Sequence, residues 1–224
     1  MFTELSAASY KYSPIFYNRE FEDVVSKIII CYRMMISSDI AVEDDENKIR
    51  DVILKNYLRN NVIRNQLKLT KYLFDREVPE DNDLGRTDIK IQTRNTFQDT
   101  KAYYIIECKR LDAQNQNGTT GLNAKYISNG ICRFVSEKYS NYKKTCGMIG
   151  FVVESMDIQS NIACINDIIN DFQSNTRQNI QQRKLVDNFD YSYYSTHTVG
   201  DKEVIIYHLM LDFSNNMQKK SEIA

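Results

Sequence analysis

The sequence is poor in the residues that mark fibrous or disordered chains. It contains only two prolines and seven glycines among 224 residues, which excludes collagen-like repeats and long flexible linkers. A hydrophobic content of 42% and a charged content of 26% are typical of a globular protein. A single hydrophobic core stops growing at roughly 250–300 residues. We therefore expect one domain that spans residues 1–224.

An excess of charge is also missing. The chain has 29 basic and 30 acidic residues, which leaves a formal net charge of −1. No overall positive field would attract nucleic acid non-specifically. A polyanion would therefore have to bind a local basic patch.

Cysteine and histidine patterns argue against a zinc site and against disulfides. The five cysteines are widely spread with no CxxC pair, and the two histidines, His197 and His208, are eleven residues apart. This spacing favours buried, reduced thiols and two histidines that belong to strands. The N-terminus resembles no signal peptide and no apolar run is long enough to cross a membrane. These features predict a cytoplasmic protein without a membrane partner.

Hydrophobic periodicity predicts alternating helices and strands. Apolar residues recur at helical spacing in some segments and alternate or run continuously in others. Helices are predicted over 21–35, from about Asp45, over 122–142 and over 157–173, and strands over 87–93, 102–111, 146–155, 189–199 and 203–213. Because the helix at 122–142 separates two strands as a crossover would, the fold class is α/β with a mixed sheet.

Three charged residues stand out on the two strands of the first hairpin. Glu107 and Lys109 lie two apart at the end of the apolar run "AYYIIECKRL", so they share one face of that strand. An antiparallel partner strand would bring Asp88 beside Glu107. Facing carboxylates repel unless a cation lies between them, and oxygen ligands of this kind suit Mg²⁺ or Mn²⁺. Beside a metal the pKa of such a lysine can fall, so that it can orient or deprotonate the attacking water, or it can stabilise charge that develops on phosphorus.

The order Gly85-x-x-Asp88, a polar hairpin connection and a strand that ends in "IIECK" resembles the PD-(D/E)XK nuclease superfamily. The resemblance covers about residues 46–153 and leaves the C-terminal helix and hairpin at 157–213 outside it. It implies a restriction endonuclease-like core, with a central mixed β-sheet flanked by helices. On the same resemblance Asp88 and Glu107 bind the metal and Lys109 is the catalytic lysine.

Further site residues are implied by the same resemblance. The backbone carbonyl of Cys108 would add a metal ligand, and Glu46 matches the acid that many members carry on a preceding helix, where it would support the metal or a second water. Glu46 precedes Ile49 and Ile53 by three and seven residues, so we expect it on the inward face of that helix. The helix after the motif offers Tyr126 and Arg133 for contact with phosphate. The expected activity is Mg²⁺-dependent hydrolysis of phosphodiester bonds, with DNA favoured over RNA. Cleavage of both strands of a duplex would require two active sites and hence a homodimer.

Each of these residues also has a simpler interpretation. Glu107 and Lys109 could form a solvated salt bridge at a strand end, and Glu46 could favour the helix dipole. Arg133 and Tyr126 could simply lie at the edge of a core helix. Two other functions stay open. One is a catalytically inactive nucleic-acid-binding module on the same fold. The other is an α/β protein-interaction domain that uses the tyrosine-rich hairpin around Tyr193 and Tyr194, whose first strand we expect at an edge of the sheet.

Overall fold

The computed structural model describes residues 13–79, 86–136 and 144–218, with side chains from residue 18 onward. A π-helical turn, Leu54–Leu58, follows the second helix, and another, Ile127–Ile131, joins the fourth helix to the fifth. The helices are α1 (Ser13–Ser37), α2 (Glu46–Ile53), α3 (Asn61–Gln66), α4 (Leu122–Tyr126), α5 (Cys132–Val135) and α6 (Ile158–Ile168).

The strands form one seven-stranded mixed sheet in the order β1-β2-β3-β4-β7-β6-β5. The three central strands, β3, β4 and β7, run parallel to one another, while every other neighbouring pair is antiparallel. The predicted α/β class with a mixed sheet is confirmed. The strands are β1 (Leu73–Pro79), β2 (Arg86–Gln92), β3 (Tyr103–Leu111), β4 (Thr145–Val152), β5 (Thr176–Gln182), β6 (Ser192–Val199) and β7 (Lys202–Asp212).

Helices cover both faces of the sheet. One core cluster joins α1 and α2 to Tyr104, Ile106 and Cys108 of β3, and the other joins the α4–α5 segment and α6 to Tyr103 and Ile105. Alternate residues of β3 therefore enter opposite cores, as the two-residue period of a strand requires. Eight of the nine β3 residues are buried, and this explains the long apolar run that leads to Glu107.

The predicted helices that start near residues 45, 122 and 157 begin close to those positions, whereas α1 begins at Ser13, eight residues before its predicted start, and α3 was not predicted. Asp45 is the N-cap of α2, and its side chain accepts a hydrogen bond from the Lys48 backbone N–H. Ile49 and Ile53 of α2 are buried in the core. Among the described residues, no helix has the length and apolar character needed to cross a bilayer.

Two strands and one position in the sheet differ from the predictions. Neither β1 nor β5 was predicted as a strand. Both are edge strands with one fully buried side chain each, so they lack the apolar alternation that marks a strand. The tyrosine-rich strand β6 was expected at an edge, but it lies between β5 and β7. Gly85 and residues 137–142 of the predicted crossover helix lie outside the described residues.

A chain of hydrogen bonds crosses the core between β6, β7 and α4. It joins Tyr126 Oη to His208 Nδ1 (2.8 Å), His208 Nε2 to Ser195 Oγ (2.8 Å), and Ser195 Oγ to His197 Nε2 (2.7 Å). The last hydrogen bond of this series joins His197 Nδ1 to the Ser174 carbonyl oxygen at 2.8 Å. Because a carbonyl can only accept, each preceding group donates toward Ser174, and this fixes both histidine tautomers. Both histidines are strand residues, as predicted, and burial lowers the pKa of His197 to about 4.

We predict that this chain of hydrogen bonds makes the stability of the protein sensitive to acid. An unfolded histidine takes up its proton near pH 6.5, whereas His197 in the fold does not until about pH 4, so stability is lost as the pH falls from about 6.5 toward 4. Replacing His197 with glutamine should reduce the loss of unfolding free energy between pH 7 and 5.5 by about 1 kcal/mol. Urea unfolding of both proteins at several pH values measures the difference. Ser195→Ala is the control, because it breaks the same chain but keeps both histidines. An identical pH dependence in wild type and His197→Gln would contradict the prediction.

Candidate active site

The ammonium group of Lys109 lies where several oxygen atoms converge. Lys109 Nζ is 3.0 Å from Glu46 Oε1, 3.0 Å from Glu107 Oε1 and 3.7 Å from Asp88 Oδ2. It also donates a hydrogen bond to the backbone carbonyl of Cys108. The Lys109 side chain is only 11% exposed. The three predicted acids and the predicted carbonyl therefore surround a single buried cation.

The antiparallel register of β2 and β3 produces this convergence. Ile89 pairs with Ile106, so the adjacent residues Asp88 and Glu107 fall opposite each other across the hairpin. Paired residues point to the same face of a sheet. Asp88 and Glu107 are thus brought together as the sequence predicted, and Lys109 lies on the face that they share.

Glu107 is the most deeply buried acid of the site. Its side chain is fully buried, and Arg133 Nη1 donates to Glu107 Oε1 at 2.6 Å, in addition to the bond from Lys109. Burial, together with the negative charge of Asp88, raises the pKa of Glu107 to about 7 although both cations oppose this. Burial alone would lower the pKa of Lys109, but the carboxylates of Glu107, Asp88 and Glu46 outweigh it and raise that pKa. Lys109 is therefore held as an ammonium ion.

Asp88 has a different partner for each of its two oxygen atoms. Oδ2 accepts a hydrogen bond of 2.8 Å from the Cys108 backbone N–H, and Oδ1 accepts one of 3.1 Å from Arg50 Nη1. Arg50 lies on α2 and is only 1% exposed. Its contact with Asp88 means that α2 reaches the site through two residues, Glu46 and Arg50.

Glu46 enters the site from the first turn of α2. Its Oε1 accepts from Lys109, and its Oε2 accepts a hydrogen bond of 3.1 Å from the Arg110 backbone N–H. The predicted inward orientation of Glu46 is therefore present. The Asp45 cap places the start of the helix at this residue.

The helical segment α4–α5 closes the other side of the site. A Cβ atom built on Gly130 would lie 2.3 Å from Met148 Cε, and Lys109 Cγ is 3.7 Å from the same point. The helix therefore packs closely on the sheet at Gly130, where any added side chain would require the end of the Met148 side chain to move. This close packing places Arg133 next to Glu107.

A cleft of about 370 Å³ opens beside Lys109. Asp44, Asp45 and Glu46 lie on one wall, where Arg110 pairs with Asp44, and Lys125, Asn129 and Arg133 lie along the helix on the opposite side. Lys125 and Asn129 are exposed, and the Arg133 side chain is 36% exposed. The cleft thus offers anionic oxygens on one side and hydrogen-bond donors on the other.

Two of the predicted residues are placed in ways that restrict their roles. Tyr126 is fully buried and its hydroxyl is bonded to His208, so the structure does not place it at the cleft as the sequence prediction required. Its spacing fitted the cleft side of the helix equally well, but its ring packs into the core. The Cys108 side chain is also buried, and burial raises the pKa of its thiol. Cys108 therefore reaches the site through its backbone alone, with its carbonyl beside Lys109 and its N–H bonded to Asp88.

The oxygen atoms of the site are of the type that binds a hard divalent cation. Carboxylate and carbonyl oxygens are the ligands that Mg²⁺ and Mn²⁺ prefer, and those of Asp88, Glu107 and Cys108 already surround the Lys109 cation. Within the described residues, however, no three acid, histidine or cysteine side chains are grouped as a complete metal site. A metal held here would use two carboxylates, the carbonyl and water, with Glu46 as a further ligand or as a partner of a bound water.

Sequence reasoning did not identify Arg50, Lys125 or Asn129. Arg50 follows Glu46 by four residues and lies between Ile49 and Ile53. This spacing places an arginine on the inward face of the helix, and that placement could have indicated a residue of the site. Lys125 and Asn129 precede Arg133 by eight and four residues, and that spacing could have indicated a polar stripe along one helix face.

Comparison with known proteins gives no relative for this chain. No protein-family model, curated protein or solved structure matches it. The site must therefore be interpreted from its own geometry.

We predict that the Lys109 ammonium is required for the stability of this site. Replacing Lys109 with methionine leaves three acids facing one another and should lower the unfolding free energy by about 2–3 kcal/mol, which is less than the loss of an isolated buried pair because Arg133 still neutralises Glu107. Chemical denaturation of the variant measures this. The exposed Lys125→Met control should change stability by less than about 0.5 kcal/mol. Equal stability of Lys109→Met and wild type would show that the acids do not depend on Lys109.

Proposed function

We propose that this protein is a metal-dependent nuclease that hydrolyses phosphodiester bonds, with DNA as the favoured substrate. The observation that carries the proposal is the group of oxygens from Glu46, Asp88, Glu107 and the Cys108 carbonyl around Lys109, beside an open cleft. A helix before the motif strands and a helical crossover after them also agree with the restriction endonuclease-like core that the PD-(D/E)XK resemblance implies.

The chemistry assigns distinct tasks to the site residues. A bound Mg²⁺ or Mn²⁺ would polarise the phosphate and lower the pKa of a bound water. Asp88 and Glu107 would hold that ion. Lys109, held as an ammonium ion by the surrounding carboxylates, would stabilise the negative charge that develops on the phosphate oxygens. This role requires no proton transfer from Lys109.

The helical wall of the cleft suits the substrate backbone. Lys125 and Asn129 are exposed along the same wall as Arg133. Such donors bind phosphate oxygens without reading the base sequence. A local wall of this kind supplies the positive patch that a chain with a net charge of −1 needs to bind a polyanion.

A second candidate is a catalytically inactive nucleic-acid-binding module on the same fold. One observation favours it: the three acids already have protein cations as partners, namely Lys109, Arg133 and Arg50. In that case the acids would be structural and the cleft would bind nucleic acid without cleaving it. The protein-interaction alternative is less well supported, because Tyr193 is buried and its strand lies inside the sheet.

We predict that metal binding and cleavage separate in two variants. Calorimetric titration with Mn²⁺ should show saturable binding to wild type that is lost in Glu107→Ala, which removes a ligand. Lys109→Met should bind Mn²⁺ at least as tightly as wild type, because the competing ammonium is gone. Its cleavage of DNA should nevertheless fall by about 10²–10³-fold, the loss typical when one charge-stabilising donor is removed.

The cleavage assay uses single-stranded, duplex and branched DNA, with the corresponding RNA as a comparison. Circular dichroism confirms that each variant is folded. DNA binding without Mn²⁺ binding or cleavage would identify the inactive module. Absence of both Mn²⁺ and nucleic-acid binding in folded wild type would overturn the nuclease proposal.

We also predict that Lys125 contributes to the binding of the backbone. Replacing Lys125 with glutamine should weaken DNA affinity by a similar factor for different sequences and reduce the slope of log K against log salt concentration by about one. Fluorescence anisotropy at several salt concentrations measures both effects. Lys202→Gln is the control, because Lys202 is exposed at the start of β7, toward the opposite end of the parallel strands. Equal effects of the two substitutions would argue against a specific role for this wall.

A further inference from the structure

Arg50 has an unusual environment for an arginine. Its side chain is 1% exposed and it lies on α2, one helical turn after Glu46. Arginine is rarely buried unless its charge is paired. The fully buried arginine therefore has to be explained by its partners.

Those partners come from three separate segments. Arg50 Nη2 is 2.9 Å from Glu77 Oε1 on β1 and 3.0 Å from Asp51 Oδ1 on its own helix. Arg50 Nη1 is 2.9 Å from Asn47 Oδ1 and 3.1 Å from Asp88 Oδ1 on β2. The planar guanidinium holds these groups at fixed angles, which the single ammonium of lysine could not do.

The contact with Asp88 determines how that carboxylate is oriented. Arg50 binds Oδ1, which leaves Oδ2 directed at the Cys108 N–H and toward Lys109, 3.7 Å away. Without Arg50, the Asp88 carboxylate could rotate about the bond that carries it, and only the Cys108 N–H and Lys109 would hold one of its oxygens toward the site. The same arginine also ties α2, and hence Glu46, to the strand that carries Asp88.

We propose that Arg50 is a positioning residue that fixes the plane of the Asp88 carboxylate, so that one of its oxygens points into the site, and that fixes the helix that carries Glu46. This inference rests on the proposed metal-dependent function, because its consequence is the affinity of the site for a divalent cation. A simple charge effect predicts the opposite result, since removing a cation near the acids would strengthen metal binding.

The test measures Mn²⁺ affinity by calorimetry for wild type, Arg50→Met and Arg50→Lys. We expect at least a tenfold weaker affinity for Arg50→Met and a clear loss for Arg50→Lys, which keeps the charge but not the planar geometry. Glu77→Gln is the matched control. It removes a neighbouring partner of Arg50 that is 43% exposed and does not contact Asp88, so its affinity should change less than threefold.

A second comparison separates positioning from general damage to the fold. In an Asp88→Asn background, Arg50→Met should weaken Mn²⁺ affinity by a smaller factor than in wild type, because only its effect through Glu46 then remains, whereas a general structural effect would add in full. Thermal melts identify any variant that does not fold, and Arg50→Lys then carries the test.

The possible outcomes are distinct. Wild-type binding with equal or tighter binding by Arg50→Met would overturn the role of Arg50 alone. Full recovery of affinity in Arg50→Lys would show that charge, not orientation, is responsible, and would also overturn it. Absence of Mn²⁺ binding in wild type would overturn the proposed function and this inference together.

Discussion

The buried ammonium of Lys109 is the interaction on which the rest of the site depends. It joins the start of α2, the start of β2 and the end of β3, which are far apart in the sequence and meet only in the folded chain. Like charges brought this close in a buried position would oppose folding unless a cation compensated them. The site is therefore stable because each acid has a positively charged neighbour. A metal ion would have to bind beside these cations or displace them.

A similar balance applies to Arg133 and Arg50 at the two ends of the site. Arg133 compensates Glu107 from the helical side, and Arg50 compensates Asp88 from the side of α2. The two arginines differ in exposure: Arg133 borders the cleft and can meet a substrate, whereas Arg50 is enclosed by protein. Arg133 is therefore suited to recognition, whereas Arg50 is suited to fixing the positions of the other side chains of the site.

Much of the architecture follows from local sequence patterns, and the remainder depends on partners distant in sequence. The central strands were predictable because both of their faces are buried, which produces continuous apolar runs such as the one before Glu107. Edge strands β1 and β5 bury one side chain each, Phe74 and Ile180, and so leave no periodic signal. The convergence of Asp88, Glu107 and Lys109 followed from hairpin geometry. The burial of Tyr126 and the partners of Arg50 did not, because both are decided by packing between elements that local spacing does not describe.

The order of strands in the sheet has a consequence for how the chain is assembled during synthesis. Strand β4 pairs with β7, which is made about 60 residues later, so one edge of the apolar β4 strand stays unpaired while the intervening residues are synthesised. Exposed apolar edges of this kind promote association with other chains. The half of the sheet that carries the acids can form early, but it is enclosed on its far side only after the last strand has been made. A nascent chain would therefore depend on chaperones, or on rapid addition of the C-terminal hairpin, during that interval.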